Sequence, residues 1–129
     1  MKIVILDALT YGDTALDVFH TLGDVTVYPT TTSEETAERV RDAEVIVTNK
    51  VVINDAVMEA APSLKLICVA ATGTNNIDHD AAQRRGISVK NVAGYSTDAV
   101  VQHTFSILFY RLGHSRYYEE YVKRGYWQR

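Results

Sequence analysis

The chain is 129 residues long, 47% hydrophobic and 22% charged, the balance of a globular protein with enough apolar content to bury a core. Its net charge of -3 is spread over both signs, so no basic face offers itself to nucleic acid or to an anionic membrane. The single cysteine, Cys68, excludes an internal disulfide, and no apolar run approaches the ~18 residues of a membrane span.

The chain opens directly on an apolar strand, Lys2 to Leu6, without a signal peptide, so a soluble, cytoplasmic protein is expected. Further runs rich in Val and Ile start near Val25, Glu44, Leu66 and Ile87, with helical segments between them. That beat is the beat of repeated βα units and predicts a parallel sheet with helices on both faces. The first helix is expected over Asp13 to Leu22, capped by Asp13, stopped by Gly23, and burying Ala15, Leu16, Val18, Phe19 and Leu22. Thr32-Ser-Glu-Glu35 reads as a capping box that opens the second, which turns Ala37, Val40 and Ala43 inward. The third starts near Asn54, packs Ala56, Val57 and Ala60, and ends before Pro62.

Leu66 to Ala70 is a continuous apolar run, as in a strand covered on both faces, and it breaks into the small polar turn Thr72 to Asn76. Asp78 is placed to cap the helical run Ala81 to Arg85, which ends at Gly86. Such a turn leaves N–H groups unpaired at a helix start, where a carboxylate or phosphate can sit. The plainer alternative is a βα turn in which Gly73 supplies only a positive φ. A last, long helix begins near Thr97 and runs to Tyr110 or beyond.

In such a sheet, right-handed crossovers bring every βα loop to one edge. Thr48-Asn-Lys-Val-Val52 and Thr72 to Asn76 follow the two central strands, so they are expected to face each other across a shallow cleft, with Lys50 as its positive charge.

Leu64 to Asp78, with its Thr-Gly-Thr-Asn-Asn turn, then Ala81-Ala82, Arg85-Gly-Ile-Ser-Val-Lys-Asn-Val-Ala-Gly-Tyr-Ser-Thr97 and Gln102-His-Thr104 resemble the D-2-hydroxyacid dehydrogenases, above all the glycerate dehydrogenase (hydroxypyruvate reductase) branch. The resemblance implies a flavodoxin-like α/β domain over residues 1–112, strand order 2-1-3-4-5, with residues 113–129 extending the interdomain helix. It implies that the chain is the substrate-binding half of such an enzyme, with the Rossmann cofactor domain absent and no dehydrogenase activity of its own. None of the seven glycines is spaced G-x-G-x-x-G, so no cofactor is expected on this chain, and NAD(P) belongs to the parent enzyme.

The family's catalytic arginine, glutamate and histidine match nothing here, and none of His20, His79, His103 or His114 takes the histidine's place, so no catalytic residue is assigned. By the same resemblance, the main chain at Thr72 and Gly73 grips the carboxylate of a small 2-hydroxy or 2-oxo acid. Lys50 and Val51 line the pocket, and Tyr95 and Ser96 sit near the hinge, facing the nicotinamide. No metal is expected, because Asp78, His79 and Asp80 are adjacent at a helix start and point apart.

On the last helix, the stripe Val100, Thr104, Ile107 ends in Arg111, where the family continues with an apolar residue. The tail, with Tyr117, Tyr118, Tyr121, Tyr126 and Trp127, is expected to fold back on the sheet or to pair with a second copy, and a homodimer through the C-terminal helix is favoured. Two other classes of function share the architecture. A receiver-like module needs acids beside Asp7 at the end of the third strand, where the chain reads Val47-Thr-Asn49. A flavodoxin needs a phosphate loop, of which Leu9 to Thr14 is a weak echo. A domain with a purely structural role is the remaining reading.

Overall fold

Strands β1 (Lys2–Ile5), β2 (Asp24–Val27), β3 (Val45–Thr48), β4 (Leu66–Val69) and β5 (Ser88–Asn91) pair in parallel in the order 2-1-3-4-5, as expected. The computed structural model describes residues 1–128 and divides into two units, the first Met1–Ala93 and the second from Gly94 onward. The division falls after Ala93, whereas the sequence reading kept the long helix with the sheet and began its extension at residue 113.

In the first unit, alternation along the strands sorts side chains onto two faces. Val4, Leu6, Ile46, Ile67 and Val69 turn to one face and are covered by α1 (Ser33–Arg39), α2 (Asp55–Glu59) and α3 (His79–Arg84), which contribute Val57, Met58, Ala81 and Ala82, with Val40 just past α1. Burying each large side chain here contributes about 1.5–3 kcal/mol. Ile3, Ile5, Val45 and Val47 turn to the other face, where Ala8, Tyr11, Leu16 and Phe19 pack, with Leu66 and Cys68 half-buried beside them.

The crossover from β1 to β2 departs from the sequence reading. In place of one α-helix over Asp13 to Leu22, it forms two 3-10 helices, Ala8–Tyr11 and Asp17–Thr21, and Asp13 caps neither. The cause lies at its start. Ala8 and Leu9 donate their N–H groups to the carbonyls of Tyr28 and Pro29, beyond β2, so the segment is tied across the sheet and not wound on itself. Leu16 and Phe19 still reach the core, while Val18 and Leu22 are exposed.

The other starts follow local chemistry. Thr32 and Glu35 form the expected capping box, in which Glu35 Oε2 accepts the Thr32 N–H at 2.9 Å. Asn54 Oδ1 accepts the Val57 N–H at 3.0 Å, and Asp78 Oδ1 accepts the Ala81 N–H at 2.9 Å. Gly86 stands at φ 68 after α3, a conformation that favours glycine. Ala56, expected inside, is exposed.

The second unit holds α4 (Thr97–Leu112), α5 (Ser115–Lys123) and a 3-10 turn at Tyr126–Gln128. Residues beyond 112 do not continue α4: His114 adopts φ 48, the chain turns, and α5 starts afresh. Tyr117 and Tyr121 stack at 6.0 Å and Tyr121 meets Tyr126 edge-on at 5.3 Å, so these three tyrosines of the tail pack on one another. Among the described residues no helix is long and apolar enough to cross a membrane, and no group of three or more His, Cys, Asp or Glu is placed to hold a metal ion.

Candidate functional site

Because β3 and β4 are parallel neighbours, the loops that follow them leave the same edge side by side. The first is organised by a residue that belongs to neither strand. Asp7, just past β1 and 5% exposed, accepts the Asn49 N–H at 3.0 Å on each carboxylate oxygen and the Lys50 N–H at 2.6 Å on Oδ2. The buried Thr48 hydroxyl lies 3.4 Å from the same Oδ2 and accepts the Val51 N–H at 3.1 Å. Three successive N–H groups of this loop are therefore spent on holding its shape.

The second loop is riveted to the first. Ile53 donates to the Asn76 carbonyl at 2.8 Å, Asp78 donates to the Ile53 carbonyl at 3.0 Å, and Asn76 Nδ2 donates to the Val51 carbonyl at 2.9 Å. Between them lies a cavity of about 200 Å³ lined by Asn49, Lys50, Ala71, Gly73, Asn75 and Asn76. Gly73 does not stand at positive φ, so backbone handedness is not what calls for glycine here. A Cβ at this position would lie 3.0 Å from Asn75 Oδ1 and intrude on the cavity. Among the described residues the Gly73 and Asn75 N–H groups make no hydrogen bond, and with the Lys50 ammonium they are donors suited to an anion.

Of the residues singled out from the sequence, Lys50 and Gly73 line this cavity. Val51 contributes its carbonyl to the rivet. Thr72 faces β5: its carbonyl accepts Asn91 Nδ2 at 2.6 Å and its hydroxyl reaches the Val92 carbonyl at 3.4 Å. Tyr95 and Ser96 belong to the second unit, where Tyr95 is exposed and Ser96 occupies the N-cap of α4. Sequence reasoning weighed Asp7 only as a receiver acid and missed Asn49. The signal for Asp7 was available, since an acid at the end of a strand beside β3 must meet the loop that β3 delivers.

Two neighbours complete the electrostatics. The Tyr11 hydroxyl is buried with no hydrogen-bond partner among the described residues. Burial pushes its phenol well above the usual 10.0, and the nearby Asp7 and Cys68 add to the shift. Burial likewise raises the Cys68 thiol, which keeps it protonated and unreactive at neutral pH. His79 Nε2 meets the Thr74 hydroxyl at 2.8 Å and Asp78 caps α3, so this acidic stretch is engaged locally.

The same geometry weighs against the other chemistries. β3 ends at Thr48 and is followed by Asn49, with no carboxylate to accept a phosphoryl group, and the Asp7 oxygens are already occupied by main-chain donors. The turn after β1 does not fit a dinucleotide pyrophosphate either. It opens on a carboxylate and runs into a 3-10 helix, where the phosphates would need a glycine-rich turn at an α-helix start.

The family model described as D-isomer specific 2-hydroxyacid dehydrogenase, catalytic domain, matches residues 3–124. The chain is 34% identical over 133 residues to a hydroxypyruvate reductase of Blautia hydrogenotrophica, covering 99% of this chain and 41% of that protein. It is 35% identical over 129 residues to a glycerate dehydrogenase of Methylorubrum extorquens, again covering 99% and 41%. Among solved structures, an acyclic imino acid reductase in complex with NADPH and D-Arg superposes with a TM-score of 0.81 at 25% identity, over 97% of this chain and 41% of that one. The chain thus spans 41% of the length of these two curated relatives. Since the family match takes in all but the first two and last five residues, the chain belongs to the D-isomer specific 2-hydroxyacid dehydrogenases.

Proposed function

We propose that this chain is the substrate-binding half of an NAD(P)-dependent D-2-hydroxyacid dehydrogenase, that it holds the carboxylate of a small acid such as glycerate or hydroxypyruvate, and that it does not catalyse alone. The supporting observation is the cavity between the two riveted loops, lined by Lys50, Gly73 and Asn75, of which the Gly73 and Asn75 N–H groups make no hydrogen bond among the described residues. A carboxylate accepts several donors at once, and bonds to an ionised partner are roughly twice as strong as neutral ones. The Asn49, Asn75 and Asn76 side chains supply donors and acceptors for the hydroxyl groups of a glycerate-like acid. The names of the two curated relatives favour that acid over others.

Lys50 is the only ionisable side chain among the residues that line the cavity. Reduction of a 2-oxo acid needs a general acid within hydrogen-bond reach of the carbonyl oxygen, and no histidine stands there. Hydride comes from the nicotinamide in the parent enzymes, and this chain's part is to bind and orient the acid.

The test is a titration of the isotopically labelled chain with glycerate and hydroxypyruvate, followed at the amides of Lys50, Gly73 and Asn75, beside an assay of NADH oxidation with hydroxypyruvate. Saturable shifts at those amides with no oxidation above the blank are expected. Shifts confined to α4 and α5, or turnover by the chain alone, would defeat the reading.

A further inference from the structure

We propose that Asp7 is a positioning residue for the acid-binding cavity: it anchors the loop after β3 so that Lys50 faces the ligand, and it withdraws that loop's main-chain N–H groups from anion binding. This rests on the reading of the cavity as a carboxylate site. A buried carboxylate is costly unless its charge is met, and among the described residues Asp7 forms no ion pair. Asn49 and Lys50 supply N–H groups and Thr48 a hydroxyl, all from the end of β3 and the loop after it, more than forty residues away. β1 lies between β2 and β3, so the anchor stands on a strand held on both sides.

The consequence concerns recognition. The N–H groups of Asn49, Lys50 and Val51 are already engaged, the first two by Asp7 and the third by Thr48. An anion in the cavity therefore meets this loop only through the Lys50 and Asn49 side chains, and takes its main-chain bonds from the Gly73 side. Without Asp7 the loop gains two free N–H groups and loses its fixed geometry.

The experiment is amide hydrogen exchange with glycerate titration on the 129-residue chain and its Asp7→Asn variant. The variant keeps the shape of the side chain but turns an NH2 group toward donors that faced an oxygen. Expected in the wild type is protection at Asn49 and Lys50 comparable with that of β3. In the variant, exchange at those two amides speeds up by about tenfold or more, Ile46 and Ile67 keep their protection, and glycerate binds about tenfold more weakly. Unprotected Asn49 and Lys50 in the wild type would overturn the anchor even if the variant failed to fold. Equal loss at Ile46 and Ile67 would make Asp7 a general stability residue, and unchanged glycerate affinity with a loosened loop would remove its link to binding; either overturns the proposal. Should the wild type protect both amides yet bind no glycerate, the carboxylate reading fails, and the exchange data still decide the anchor.

Discussion

Asn76 joins the two loops of the site through both ends of the residue: its side-chain Nδ2 donates to the Val51 carbonyl at 2.9 Å, and its own carbonyl accepts the Ile53 N–H at 2.8 Å. Two loops delivered by separate strands thereby behave as one body. Asn76→Ala is expected to cost about 1 kcal/mol, the net worth of one such bond. Asn76→Asp is expected to cost more, because a carboxylate would face the Val51 carbonyl. Denaturant melts of the two variants, compared at equal slope, check the order, and a milder Asn76→Asp would show that the contact is not a hydrogen bond of this sense.

Gly73→Ala separates shape from backbone freedom. Since Gly73 is not at positive φ, alanine is tolerated by the main chain, and stability is expected to change by less than about 1 kcal/mol. The new Cβ, 3.0 Å from Asn75 Oδ1, displaces that side chain into the cavity, and affinity for glycerate falls. A melt with little change beside a titration that loses its shifts is the expected pair of results. A large loss of stability would point to a backbone role.

Tyr11→Phe tests the orphan hydroxyl. The folded-state phenol titrates above the usual 10.0, so its ionisation costs folding nothing below pH about 10, and as pH rises further the unfolded phenol ionises first and stability falls. Wild-type stability should therefore fall in the alkaline range more steeply than that of the variant. At neutral pH the variant is expected to match or exceed the wild type, because a buried hydroxyl without a partner is removed. Parallel urea melts at pH 7 and above pH 10 measure both effects, and identical alkaline slopes would refute the assignment to Tyr11.

Ile67→Ala and Val18→Ala contrast two residues that both read as core from the sequence. Ile67 is fully buried between β3 and β5, and its truncation is expected to cost about 2–5 kcal/mol. Val18 is exposed on the 3-10 crossover, and its truncation is expected to fall within about 0.5 kcal/mol. A large effect at Val18 would restore the helix that its spacing suggested.

Much of the frame was legible because its determinants are local. Apolar runs separated by capped segments mark strands and helices within a few residues, and Asn54 and Asp78 cap where their short polar side chains reach an N–H three residues on. The β1 to β2 crossover was misread because periodicity at Leu16 and Phe19 records only which face is buried. Whether the backbone between them winds as an α-helix was decided by the Ala8 and Leu9 bonds to Tyr28 and Pro29, about twenty residues away.

The sequence by itself determined the five-stranded parallel sheet and the facing pair of loops through pattern and spacing, and the family and strand order through the motifs that carry the resemblance. Only the tertiary structure decided which donors remain for a ligand. Asp7 takes the Asn49 and Lys50 N–H groups and Asn76 Nδ2 takes the Val51 carbonyl, which leaves the Lys50 side chain and the Gly73 and Asn75 N–H groups as donors from residues that line the cavity. The physical reason is that a hydrogen bond once made is withdrawn from binding, and these bonds join residues brought together only when β1, β3 and β4 lie side by side.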